Sequence, residues 1–204
     1  RIRLPYFTEV YGNPSSLYSI SDASKEAIAT ARGQVAELIG ATDTEIFFTS
    51  GGTEADNWAL MGVTDALKNK GNHIITTKIE HHAILHTCEF LEKHGFEVTY
   101  LDVDSEGMVD PADLEAAITD KTVLVSVMMI NNEVGRLQPI RELAAIAKAH
   151  GVLFHTDAVQ AVGHLPINVK EQNIDMLSFS AHKFHGPKGI GALYCRKGIP
   201  LIGF

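Results

Sequence analysis

Ile46-Phe47-Phe48-Thr49-Ser50-Gly51-Gly52-Thr53-Glu54 joins a short apolar run to paired glycines and then to a hydroxyl residue that opens a helical pattern reaching Leu67. A run of that length and content fits a buried strand, and the glycines end it. Strand, glycine turn and helix are the repeating unit of an α/β sheet. The turn also has the chemistry of an anion cup. Glycines let the backbone approach closely, the first amides of the helix point outward, and the helix dipole favours negative charge. A plain helix capped by Thr53 is the alternative for the stretch taken alone.

The same alternation extends in both directions. Upstream, Ile28, Ala31, Val35 and Leu38 recur at helical spacing between Ser21 or Asp22, as cap, and Gly40. Downstream, strand-like segments fall near His73–Thr76, Phe96–Leu101, Thr122–Met129, Val152–His155, Asp175–Phe179 and Ile190–Cys195. Helical stretches at His81–His94, Pro111–Ile118 and Ile140–His150 separate most of them. Strands rich in Val, Ile and Phe alternating with helices predict an α/β fold of three layers, a mostly parallel sheet with helices on both faces. No repeat or linker divides the chain. Ligands of such sheets sit outside the carboxyl ends of the strands.

Composition narrows the function. Of 204 residues, 45% are apolar, enough for a sizeable core. Seventeen basic against twenty-five acidic residues leave a formal charge of −8, so no basic stripe is available for nucleic acid or an anionic membrane. The longest apolar stretch, Val123 to Ile130, is far short of the roughly 20 residues of a bilayer span. Two cysteines, Cys88 and Cys195, make no disulfide framework, and a reducing cytoplasm is the expected setting. The start at Arg1 without methionine and the apolar finish Ile199 to Phe204 lead us to expect material missing at both ends.

Two further features carry chemistry. Asp157 follows the strand Val152-Leu153-Phe154-His155, where a carboxylate could keep a cofactor ring nitrogen protonated; an Asp that merely ends a strand is the alternative. Lys183 leaves a buried strand for the glycine/proline loop Phe184-His185-Gly186-Pro187-Lys188-Gly189. A partly desolvated lysine there would be nucleophilic toward an aldehyde, and an exposed loop lysine is the alternative. A phosphate cup, an acid for a pyridine nitrogen and a Schiff-base lysine are together what pyridoxal phosphate needs. His82 and His86, four apart, with Cys88 nearby, could bind zinc, but no third ligand has suitable spacing and no metal site is expected.

Ser180-Ala181-His182-Lys183, Thr156-Asp157-Ala158-Val159-Gln160 and the run Thr49 to Asn57 resemble the signature segments of class V aminotransferase-fold enzymes. Tyr11-Gly12-Asn13-Pro14-Ser15-Ser16, Glu80-His81-His82-Ala83 and Asn131-Asn132-Glu133-Val134-Gly135 are similar to cysteine desulfurases, and the loop Lys183 to Gly189 to their NifS/IscS branch. The resemblance implies the large domain of a fold type I transferase spanning 1–204, incomplete at both ends and without its small C-terminal domain. It implies pyridoxal 5'-phosphate as cofactor and L-cysteine as substrate, yielding L-alanine and an enzyme persulfide for iron–sulfur cluster assembly. It also implies a sulfur-acceptor or scaffold protein as partner, and a homodimer.

The residues carry over by position. Lys183 would hold the cofactor and move protons, and His81 would stack on the ring and serve as acid/base. Asp157 would pair with the ring nitrogen, Gln160 with the ring hydroxyl, and Asn132 would lie near the ring oxygen and substrate. Gly52, Thr53, Ser180 and His182 would hold the phosphate. The family's persulfide cysteine lies beyond the lysine, and neither Cys88 nor Cys195 matches it, so this chain alone is expected to be inactive. Selenocysteine cleavage, another class V transamination, a non-catalytic dimerisation or docking module and a metal-dependent hydrolase are the alternatives.

Overall fold

A computed structural model describes residues 4–203; Arg1–Arg3 and Phe204, the outer limits of the 1–204 span, lie outside the described residues. The elements run α1 (Pro5–Thr8), α2 (Asp22–Ile39), β1 (Ile46–Thr49), α3 (Gly52–Leu67), β2 (His73–Thr77), α4 (His82–Glu92), β3 (Glu97–Leu101), α5 (Pro111–Ala117), β4 (Thr122–Ser126), α6 (Ile140–Ala149), β5 (Leu153–Asp157), β6 (Met176–Ser180) and β7 (Gly191–Cys195). One seven-stranded sheet has the order β1-β7-β6-β5-β4-β2-β3. β7 is antiparallel to both neighbours, and the other pairings are parallel. The expected mostly parallel sheet is therefore present, with β7 as the one reversed strand.

Strand side chains alternate between two cores. Ile75, Val125, Phe154, Leu177 and Tyr194 pack with Ile39 of α2, Leu114 of α5 and Leu143 of α6. Their neighbours Ile74, Leu124, Met176 and Leu193 pack with Leu60 and Val63 of α3 and Ile84 of α4. Helices thus cover both faces, which is why strands buried on each side read as continuous apolar runs. Each fully buried aliphatic side chain contributes roughly 1.5–3 kcal/mol.

Two boundaries depart from expectation for physical reasons. β4 ends at Ser126 rather than Met129, because side chains replace the β2 ladder. Thr76 Oγ1 donates to Ser126 O at 2.9 Å, and Glu80 Oε1 accepts from Met128 N at 2.9 Å. β5 extends past His155 to Asp157, which stands opposite Ser178 of β6. Ser21 takes the N-cap position of α2 as expected but makes no side-chain cap bond, because its hydroxyl is turned back to Tyr18 O at 2.7 Å and Ser16 O at 3.0 Å. Gly40 closes that helix at φ 71°, the left-handed conformation that glycine adopts without strain.

Candidate active site

The carboxyl ends of β2, β4, β5 and β6 and the start of α3 converge on one cavity of about 300 Å³. All nine sequence-predicted residues line it: Gly52, Thr53, His81, Asn132, Asp157, Gln160, Ser180, His182 and Lys183. Asp56, Met128 and Val159 complete the lining, and their part was not read from the sequence. For Asp56 the signal was present: it lies four residues after Gly52, on the same face of α3.

One end of the cavity suits an anion. α3 starts at Gly52 behind the Gly51 turn, so its first amides face outward. The turn must be glycine-tight: a Cβ on Gly52 would stand 2.6 Å from Val159 Cγ2. Ser180 Oγ and His182 Nδ1 are 2.8 Å apart. Whichever is the donor, a neutral pair keeps one N–H or O–H free for a ligand. An adjoining cleft of about 410 Å³ shares Gly52, Thr53, Ser180 and His182 and adds Lys188, a cation on the same side. Glu54 turns away from this use: its Oε2 accepts from the Ser50 amide at 2.6 Å and hydroxyl at 2.5 Å, and those bonds hold its carboxyl below the usual range.

The other end is acidic and buried. Asp157 is buried, and burial raises its pKa; a bond from the Val159 amide at 2.9 Å and the charges of His81 and Lys183 act in the opposite sense. Glu80 lies beneath, pushed up to about 8 by burial although Met128 N and Thr77 Oγ1 both donate to it. Burial raises Asp56 well above the carboxylate range, and the charges of Asp157 and Glu80 add to that. His155, fully buried, is pushed down to about 3.

His81 is the N-cap of α4, and its Nδ1 accepts from Ala83 N at 3.1 Å, so in the neutral ring Nε2 carries the proton. Lys183 sits in a 3₁₀ turn, Ala181–Phe184, after β6. His164 Nε2 donates to its carbonyl at 3.0 Å, and His185 closes the turn at φ 67°. Lys183 is exposed, so this chain's own residues do not desolvate it as the strand-to-loop placement suggested. Asn132 is exposed at the rim, its Nδ2 bonded to Glu133 Oε1, whereas the buried Asn131 shapes the loop.

With this geometry in place, the aminotransferase class-V domain matches residues 3–200. The chain belongs to that family. Members of the class V family depend on pyridoxal phosphate. Among curated relatives, the chain is 62% identical over 198 residues to a cysteine desulfurase IscS of Clostridium botulinum (strain Kyoto / Type A2), covering 97% of this chain and 50% of the relative. A cysteine desulfurase IscS of Methanosarcina thermophila is 60% identical, covering 97% and 49%. Among solved structures, a "NIFS-LIKE PROTEIN" superimposes with TM-score 0.94 at 43% identity, covering 97% of this chain and 55% of that one. "SspA in complex with cysteine" gives 0.96 at 40%, covering 98% and 58%. The class V chain thus spans about half the length of the curated relatives it matches.

The remaining polar candidates sort by burial. His82 and His86 share a face of α4, their rings stacked at 5.1 Å, while Cys88 is buried in the core. Among the described residues no group of three or more His, Cys, Asp or Glu is arranged to hold a metal. Burial pushes the thiols of Cys88 and Cys195 up to about 12, so neither is a thiolate near neutrality.

Proposed function

We propose that this chain binds pyridoxal 5'-phosphate at the β2–β4–β5–β6 carboxyl edge and carries the cofactor chemistry of a cysteine desulfurase. In that reaction the sulfur of L-cysteine passes to a protein thiol, the thiol becomes a persulfide, and the remaining carbon skeleton leaves as L-alanine. The observation that carries the reading is the convergence of all nine candidate residues on one cavity.

The fit is chemical as well as spatial. The Gly51–Gly52 turn leaves the α3 amides open to a phosphate, with Thr53, Ser180 and His182 as further donors. Asp157 faces the same cavity as an acceptor for a protonated ring nitrogen, and Gln160 as partner for the ring hydroxyl. When bound, pyridoxal phosphate supplies a sink for the electron pair left on the substrate Cα. Lys183 Nζ anchors the cofactor and moves the Cα proton. His81, with Nδ1 tied to Ala83 N, presents Nε2–H as donor to the substrate side. Asn132, at the rim, is placed to meet the substrate. Cys88 and Cys195, buried with raised pKa values, do not supply the sulfur-accepting thiol.

The proposal includes a homodimer and delivery of sulfur to an acceptor such as an iron–sulfur scaffold. Exposed Leu4, Phe7, Tyr11, Leu17, Tyr18 and Ile20, all ahead of the body of α2, support a covered apolar surface in the working assembly. No described helix is long and apolar enough to cross a membrane, and the cytoplasm is the proposed setting. The test is an absorbance spectrum of the purified protein with pyridoxal phosphate before and after borohydride, with peptide mapping. A yellow band that borohydride bleaches and that maps to Lys183 supports the reading; no band, or label on another lysine, overturns it.

A further inference from the structure

The face of the sheet beneath α3 is apolar except under the cavity. Beside Leu124, Met176 and Leu193, it carries Ser126, His155 and Ser178, none of them exposed. Sheet register sets Ser126 beside His155. Ser126 Oγ lies 2.8 Å from His155 Nδ1, and His155 Nε2 lies 2.9 Å from Ser178 Oγ. Buried polar groups are costly unless each has a partner, and these three partner one another.

Asp56 of α3 stands at the end of this row. It is 1% exposed and lines the cavity together with Asp157. Its carboxyl faces Ser178, and Oδ1 has no hydrogen-bond partner and lies 3.7 Å from His155 Nε2. The groups facing it are His155 and Asp157 from β5, Ser178 from β6 and Glu80 from the turn after β2. None supplies a positive charge: His155 lies 3.7 Å away, but both its ring nitrogens are engaged by hydroxyls and its complete burial disfavours the imidazolium. Asp157, by contrast, has the Val159 amide and faces His81 and Lys183. Two buried carboxyls on one cavity resist ionising together, and the one with the better partners takes the charge.

We propose that Asp56 is a positioning residue for Asp157: held as the neutral acid at the end of the Ser126–His155–Ser178 row, it leaves Asp157 as the anion that meets the cofactor's ring nitrogen. The inference rests on the pyridoxal phosphate reading of the cavity. An ionised Asp56 would share that cation and blur where the ring nitrogen is held. A neutral Asp56 donates to Ser178 Oγ, Ser178 then donates to His155 Nε2, and His155 Nδ1–H donates to Ser126, so a single proton sets the direction of the whole row.

The test uses the full-length protein in wild-type form and as Asp56→Asn and Asp56→Ala. Infrared spectroscopy of the cofactor-free protein with isotope-labelled aspartate should show a protonated-carboxyl stretch at neutral pH that is missing from Asp56→Asn. Asparagine mimics the neutral acid, so pyridoxal phosphate affinity and the pH at which its bound absorbance shifts should stay within about threefold of wild type, whereas Asp56→Ala should weaken binding about tenfold. The proposal is overturned if the infrared signal is absent, if Asn weakens binding as much as Ala, or if Ala binds as wild type. Wild type that never labels Lys183 would sink the cofactor reading and with it the role toward the ring nitrogen. The infrared signal would still decide separately whether Asp56 is the neutral member of the pair.

Discussion

Glu80→Gln should flatten the alkaline side of this protein's stability profile. In the folded chain the carboxyl is enclosed, and burial raises its pKa from 4.5 to about 8. Its Oε1 accepts from Thr77 Oγ1 and Met128 N, while Oε2 has no partner. Between 4.5 and about 8 the folded state therefore holds a proton that the unfolded state has released. The sign follows from linkage: the stability tied to this proton is fully present below 4.5 and is lost as pH rises through about 8. The slope for one such proton is about 1.4 kcal/mol per pH unit, so moving from pH ~6 to ~7.5 should cost wild type about 2 kcal/mol from this group. Glutamine keeps the acceptor for Met128 and Thr77 and cannot ionise, so the variant loses that slope. Urea unfolding of both proteins across this range gives the difference directly. Parallel profiles would show that Glu80 is ionised in the folded state and that the argument from burial is wrong.

Other outcomes follow from named contacts. Gly52→Ala puts a Cβ 2.6 Å from Val159 Cγ2, at the mouth of α3; pyridoxal phosphate affinity should fall at least about tenfold by titration, with a smaller change in melting temperature. His164→Ala removes the 3.0 Å bond to the Lys183 carbonyl; it should cost about 1 kcal/mol in urea unfolding and slow borohydride trapping at Lys183, and an unchanged trapping rate would show that the turn holds itself. Leu143→Ala empties a fully buried position of α6 that does not line the cavity; unfolding should be easier by about 2–5 kcal/mol with cofactor binding retained in the folded fraction.

The sheet was legible because each of its strands is short, apolar and bounded by turn residues, and because Gly51–Gly52 marked where a helix begins. The cavity was legible for a related reason: in a parallel sheet the residues just past Ile46–Phe48, His73–Thr76 and Asp175–Phe179 must emerge on one edge. Strand ends were harder. The continuous apolar run from Val123 to Ile130 gives no sign that Thr76 and Glu80 take over the hydrogen bonds of Ser126 and Met128. The polar row Ser126–His155–Ser178 was not legible at all, since its members are 29 and 23 residues apart and meet only through register. Lys183 shows the limit in the opposite direction: a buried strand before it suggested desolvation, but the 3₁₀ turn carries its side chain into the open.

The two ends of the cavity explain why a ligand would lie in it one way round. At the α3 end are outward amides, equivalent to about half a positive charge, together with His182 and Lys188 in the adjoining cleft. At the other end stands Asp157, backed by Asp56 and Glu80, whose burial shifts both carboxyls toward the protonated form. If all three acids were ionised, repulsion among them would oppose folding and Asp157 would hold its own charge less readily. With two neutral, one anion faces the cavity and its field has a definite direction. A molecule with a phosphate at one end and a protonated ring nitrogen at the other is favoured at both ends in one orientation and opposed at both ends when reversed. Burial of Asp56 and Glu80, which costs stability as pH rises, is thus the same feature that makes the site polar along a single axis.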